Sequence, residues 1–252
     1  MPIPNEVMPD PDGERPLVRG IDGCPAGWIA VTIAATGPVT PCVTITRNFA
    51  ELTSGVEKIA VDMPIGLPEC AGPGGRGPES LVRPLLGGRQ SSVFSVPSRA
   101  AVFAADYGEA CRIALATSDP PRKVSKQAFF LFPKIREIDV LLRATPALAA
   151  TIHEVHPEVA FWRQNGGQPL PLPKKVSSRG YPPGLALRRE LLVAAGYPEA
   201  FLAAAPRGAG LDDLLDAAVN ALVARRLLAG TAQSYPDPPG RDAHGLPVAI
   251  WA

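Results

Sequence analysis

Two short apolar runs, LVRGID and EKIAVD, each end on a carboxylate, Asp22 and Asp62. Runs of this kind read as buried strands. A buried strand rarely keeps an unpaired carboxylate, because taking its charge out of water is costly unless a partner compensates it. A third acidic group, Asp212, Asp213 and Asp216, opens the Ala- and Leu-rich stretch LDDLLDAAVNAL far downstream. One partner able to satisfy all three segments is a divalent cation held by oxygen ligands, as Mg²⁺ or Mn²⁺. Strand alternation puts Ala60 and Asp62 on one face and Ile59 and Val61 on the other. Asp22 occupies the matching place at the end of its own strand. If the two strands are parallel neighbours, both carboxylates project at one sheet edge, where sites form in open α/β sheets. Either Asp alone reads better as a turn residue, since IDG and DMP suit turns. Two equivalent placements favour a site.

The downstream stretch carries the same tension. Asp213 and Asp216 stand i, i+3 apart on one helical stripe, which Asn220 continues. Ala217, Ala221 and Ala224 flank it and permit close packing on a sheet. Leu214, Leu215, Leu222 and Leu227 cover much of the rest, so a mostly buried helix is expected, with an acidic stripe in need of a partner. First-turn acids also complement the helix dipole, by about 0.3–1 kcal/mol each. That accounts for one Asp better than for three.

A chain of 252 residues suffices for one large core, or for a core with an elaborated insertion. Its net charge of +1 excludes a globally basic nucleic-acid binder, so any nucleic acid must meet a local patch. The cysteines follow no metal-ligand or disulfide spacing and read as reduced thiols of a cytoplasmic protein. No apolar run approaches the ~20 residues of a membrane span.

Residues 1–16, rich in proline and acid, read as a flexible leader, and 17–252 as a single domain. LVRGID, WIAVTIAA and VTPCVTITRNF, joined by short turns, read as an antiparallel meander. NFAELTSG follows as a short helix capped by Asn48 and ended by Gly55, then KIAVDMPIGLP as a fourth strand. This order suits an α/β sheet of mixed direction. The Gly-, Pro-, Ser- and Arg-rich stretch 68–98 is too long for a simple connection. It opens an insertion expected over about 68–150, with helices near 99–117 and 125–143, the second interrupted at Pro133. ATIHEVHPEVAFW reads as a fifth strand turning at Pro157, and LALRRELLVAAG as a helix. The last helix is expected over about 212–229, capped by Asp212 and stopped by Gly230, with GLPVAIW as a short terminal strand.

Glu154 and His156 share a strand face in HEVHPE and are candidates for acid–base work or for positioning water. Arg89 and Arg99 in the excursion, Lys126 before a helix and Lys174 are candidates to grip phosphates, which supply most nucleic-acid affinity. GPGGRG at 72–77 matches a dinucleotide fingerprint only formally, since no clear helix opens at its last glycine. A serine-hydrolase elbow and a P-loop are both missing from the sequence.

As a set, GIDGCPAGW, VDMPIGLP, SSVFSVPSRAAV, SKQAFFLFPKIREID, HEVHPEVAFW, GLALRRELL and DDLLDAAVNAL resemble the domain of unknown function 429 family, predicted nucleases of ribonuclease-H-like fold. The resemblance covers about residues 17–252. It implies an α/β, ribonuclease-H-like fold: a five-stranded mixed sheet whose first three strands form the meander, flanked by helices, with the insertion after the fourth strand. The Asp213-Leu-Leu-Asp216-Ala217 motif also looks like the Asp-x-x-Asp-Ala of Holliday-junction resolvases in that superfamily. By position, the resemblance implies a metal set of Asp22, Asp62, Asp213 and Asp216. The fourth-strand acid departs from the resolvases' Glu, which alters its reach.

The expected activity is hydrolysis of phosphodiester bonds in DNA or RNA, with two Mg²⁺ or Mn²⁺ ions on those aspartates and Glu154 assisting. Lys126, Arg89, Arg99, His156 and Lys174 would bind substrate. Two alternatives remain: a non-catalytic module binding nucleic acid or phosphate ligands on the same fold, and a phosphotransferase, for which the chain is short.

Overall fold

The structure, a computed structural model, describes residues 15–177 and 179–252. All but the last two residues of the expected leader lie outside the described residues. The chain opens with strands β1 (Leu17–Cys24), β2 (Gly27–Ala34), β3 (Cys42–Thr46) and β4 (Lys58–Val61), followed by helices α1 (Pro78–Val82), α2 (Arg99–Val102), α3 (Tyr107–Ala116) and α4 (Lys126–Ala144). Then come β5 (Ile152–Glu154), α5 (Pro157–Gln164), β6 (Lys175–Val176), β7 (Arg179–Gly180), α6 (Pro182–Ala194), α7 (Leu211–Leu228), β8 (Ser234–Arg241) and β9 (Pro247–Trp251). Two compact units divide the chain, Met1–Asp62 with Pro171–Ala232, and Met63–Leu170 with Gln233–Ala252. The excursion therefore starts directly after Asp62, runs on to Leu170, and recruits the last segment of the chain. Among the described residues, no helix is long and apolar enough to cross a membrane.

The protein is of mixed α/β class, and in the first unit β3, β2, β1 and β4 lie in that order in a sheet of mixed direction flanked by helices. The first three strands form the expected antiparallel meander, with Leu17 opposite Ala34 and Trp28 opposite Thr46. β4 returns parallel to β1, from Val18 beside Lys58 to Ile21 beside Val61. β1 and β2 are apolar and buried along nearly their whole length, as strands covered on both faces must be.

The two faces of β1 are covered by different chemistry. On one, Arg19 is buried and donates from Nε to Thr32 Oγ1 (2.9 Å) and from Nη1 to Leu52 O. Leu52 ends a single 3₁₀ turn, Phe49–Leu52, whose cap Asn48 accepts from Ala50 N–H as the sequence suggested. The turn stops before the expected Gly55, and Phe49 docks edge-on against Trp28 with ring centroids 4.9 Å apart. On the other face lies α7. A Cβ added at Gly20 would overlap Ala221 N and Ala217 O and come within 2.6 Å of Asn220 C, so helix backbone rests directly on strand backbone. Ala60, the register partner of Gly20, and the buried Ala217, Ala221 and Ala224 complete this contact of small residues.

α7 begins at Leu211, and its cap is Gly210 rather than the expected Asp212. The Asp213 carboxylate reaches back to accept from Gly210 N–H (2.9 Å), the reciprocal half of a capping box. Asp212 instead has Lys175 Nζ 2.5 Å from its Oδ2.

In the second unit, Pro133 does not interrupt α4. Proline removes one helical hydrogen bond, but Ala128, Phe132, Ile135, Ile138 and Leu142 are buried at helical spacing on either side of it, and that packing keeps the helix continuous. β5 is shorter than the sequence suggested, and Pro157 starts α5 instead of a loop, as proline at a first helical position does. The terminal strand is present as β9, paired antiparallel with β8.

Candidate metal centre

Asp22 and Asp62 stand side by side. Val61 is the last residue of β4 and pairs with Ile21, and the next N–H, that of Asp62, donates to Ile21 O (3.1 Å). The condition set by the sequence, parallel neighbouring strands, is met. By alternation Asp22 shares the face of Gly20, and Asp62 shares the face of Ala60, the face covered by α7. The small residues thus let the helix approach, and the acidic residues follow two positions on. Asn220 Nδ2 donates to Ile21 O (3.0 Å), fixing the rotation of α7 at the level of the strand carboxylates. That rotation brings Asp216 and Asp213 toward Asp22.

The electrostatics report this convergence. Burial pushes the Asp22 carboxyl well above the usual range, and the charges of Asp62, Asp216 and Asp213 add to the push. Asp216 is also raised by burial, with Lys174 opposing. Asp213 is raised to about 6 by burial, against the stabilising Gly210 N–H. Lys174 Nζ makes an ion pair with Asp216 Oδ2. Burial alone would lower that ammonium's pKa, but Asp216, Asp22 and Asp62 carry it above its ordinary value. The position read from sequence as a phosphate grip is in fact occupied with carboxylates. Arg188, fully buried on α6, donates to Gly184 O (2.9 Å) and Leu172 O (3.1 Å), and its charge favours ionised Asp216. Sequence reading missed this residue, although an arginine pair inside an apolar helix was its signal.

The donor set suits a hard divalent cation. Its atoms are carboxylate oxygens, and Asp216 Oδ1 is buried with no hydrogen-bond partner among the described residues. Among the described residues, no three His, Cys, Asp or Glu side chains form a ready-made ion cage. Lys174 supplies positive charge there instead.

The remaining predicted residues lie elsewhere. Glu154 accepts from Arg76 Nη2 (2.5 Å), Arg76 Nη1 (2.9 Å) and Ile65 N–H (2.7 Å). Arg76 also pairs with Glu79 (2.8 Å), so one guanidinium serves two buried carboxylates, and burial leaves the Glu154 carboxyl raised to about 7. His156 caps α5, its Nδ1 accepting from Glu158 N–H (3.2 Å). Arg99 pairs with Asp139 and, at 2.5 Å, with Asp242. Arg89 sits in a 3₁₀ stretch, half-buried, and Lys126 is the exposed first residue of α4. Glu154 and Arg99 are tied into the framework of the second unit.

A pH dependence follows. Asp22, Asp213, Asp216 and Glu154 all have folded pKa values above those of the unfolded chain. Protonation therefore favours the fold: the contribution is complete below about pH 4, the unfolded carboxylate value, and is lost as pH rises through about 6 to 7. In chelator, the melting temperature is expected to be higher at pH 5 than at pH 7.5 by scanning calorimetry. A flat or opposite trend would contradict the crowding of these carboxylates.

A family model described as "Protein of unknown function (DUF429)" matches residues 20–241. No curated protein and no solved structure matches the chain. The family match takes in both strand-end aspartates and the acidic helix, and on its extent the chain belongs to the DUF429 family.

Proposed function

We propose that the protein is a metal-dependent nuclease built on a ribonuclease-H-like fold, hydrolysing phosphodiester bonds in nucleic acid. One observation carries the reading: buried Asp22 feels the charges of Asp62, Asp216 and Asp213 together, with the Lys174 ammonium paired to Asp216. Asp22, Asp62, Asp213 and Asp216 would hold Mg²⁺ or Mn²⁺. Held there, such ions would supply a more acidic water and positive charge for a leaving oxygen. The chain's own contribution is rigidity. Asn220 and the Gly20 contact set the spacing between helix and strand acids, and the Asp213 bond to Gly210 N–H fixes the start of α7. Glu154 is left to the second unit's ion network.

The test is cleavage of end-labelled single-stranded DNA, duplex DNA and RNA with Mn²⁺ or Mg²⁺, beside calorimetric titration of the cation. Cleavage in metal and none in chelator is expected. Absence of cation binding at millimolar Mn²⁺ would end the proposal.

Lys174 supports a second reading, a non-catalytic module in which the ammonium permanently replaces the cation. Lys174→Ala separates the two. The variant should melt lower by a few degrees in chelator, because Asp216 loses its counter-ion, a loss of about 2 kcal/mol at a partly exposed lysine. Under the nuclease reading, millimolar Mn²⁺ restores the melting temperature. Under the module reading it does not.

A further inference from the structure

The second unit contains a cavity of about 270 Å³, just below the ~300–1,000 Å³ typical of ligand sites. Its walls come from segments 71–75 and 94–98, from α3, and from the residues leading into α4. Phe94, Val96 and Val124 give it an apolar body.

The polar lining is one-sided. Thr117 Oγ1 donates to Ile113 O (2.8 Å), so the Ser98 hydroxyl is the donor in its 2.6 Å contact with Thr117. Ser118 Oγ donates to Ala114 O (2.7 Å). The Val124 carbonyl already accepts from Tyr107 Oη (2.9 Å). Ser95 Oγ accepts from Arg83 (3.0 Å) and Ser125 Oγ accepts from Ala128 N–H (3.1 Å), and neither hydroxyl hydrogen is used among the described residues. Arg122 and Lys123 also line the cavity, and their side chains make no ion pair among the described residues. The uncommitted side-chain groups are thus two cations and two hydroxyl donors, beside an apolar wall.

We propose that this cavity binds a small phosphate monoester with an apolar body, the phosphate held by Arg122, Lys123, Ser95 and Ser125 and the body lying against Phe94 and Val96. A carboxylate brings one charge and two oxygens. A phosphate monoester brings three terminal oxygens and about −1.5 to −2 charges near neutral pH, matching two cations and two hydroxyls, and a guanidinium can bind it with two parallel hydrogen bonds. The site is independent of the nuclease proposal, since it lies within the second unit and uses none of the four aspartates.

The test is calorimetric titration of the full chain with phenyl phosphate in chelator at low salt, with inorganic phosphate and phenol as comparisons. Phenyl phosphate is expected to bind at least about tenfold more tightly than either. A double variant, Arg122→Gln with Lys123→Gln, alters two exposed side chains and should weaken phenyl phosphate about tenfold or more while leaving phenol unchanged. Phe94→Ala should weaken phenyl phosphate and leave inorganic phosphate unaffected. No binding of phenyl phosphate, inorganic phosphate binding equally well, or a double variant that binds like the parent would each overturn the proposal.

Discussion

Asp22→Asn protein is expected to lose metal-dependent cleavage by at least about 100-fold while melting a few degrees higher than its parent at pH 7.5 in chelator. The two effects share one cause. Asp22 is buried beside Asp62, Asp216 and Asp213, and each of these charges raises its carboxyl. Removing the charge at constant shape relieves that repulsion. Each tenfold change in proton affinity between folded and unfolded states is about 1.4 kcal/mol, and for a chain of this size ~1 kcal/mol moves the melting temperature by about 2–4 °C. At pH 5 the gain should shrink, because the parent's carboxyl is then more often protonated. The activity loss has a floor: groups that merely orient metal ligands are worth about 10–100-fold, and a ligand itself is worth no less. Nuclease assays and scanning calorimetry on one preparation check both. Full cleavage by the variant would remove Asp22 from the mechanism, and a lower melting point would show that it is stabilising in the parent.

Gly20→Ala is expected to damage the first unit far more than one methyl group normally does. The added Cβ would meet Ala221 N, Ala217 O and Asn220 C, all backbone atoms of one helix, so no side chain can rotate away. α7 must lift from β1 or the strand must buckle. Overpacking of side chains costs about 1–3 kcal/mol. Against unyielding backbone we expect about 4 kcal/mol, a fall of roughly 10 °C in melting temperature. The Asn220 bond to Ile21 O lies beside the same contact and should break with it. Soluble variant should therefore also bind Mn²⁺ more weakly, although residue 20 touches no cation. Denaturant unfolding and Mn²⁺ titration measure the two parts. A variant as stable as the parent would mean that α7 does not rest on β1 as described.

Much of the candidate centre was legible in the sequence because it rests on local periodicity. Alternation placed Asp62 with Ala60, the helical stripe joined Asp213, Asp216 and Asn220, and the alanines beside them announced close packing. The register of β1 and β4 sets Asp22 beside Asp62, and the Asn220 bond to Ile21 O brings the helical stripe to them. What escaped was pairing that no spacing encodes. Lys174 read as a phosphate grip because its partner Asp216 is distant in the chain. Arg99 read as a loop cation and is held by Asp139 and Asp242. Arg76 did carry a local sign, a glutamate three residues on, but its second partner Glu154 is visible only in three dimensions. Pro133 was misread for a related reason: a rule about one backbone hydrogen bond was outweighed by a long apolar face.

The placement of α7 has a consequence for how the molecule is made. β1 to β4 leave the ribosome more than a hundred residues ahead of the helix that covers one of their faces. Closing so long a loop adds little to the equilibrium cost, ~0.6 kcal/mol for each doubling of length, but contacts between distant segments form slowly. During that interval the sheet face around Gly20 is bare, a surface on which chaperones and neighbouring nascent chains compete. The acidic constellation is assembled only once α7 has emerged, and a polypeptide truncated ahead of Asp213 would carry the strand aspartates without their counterpart.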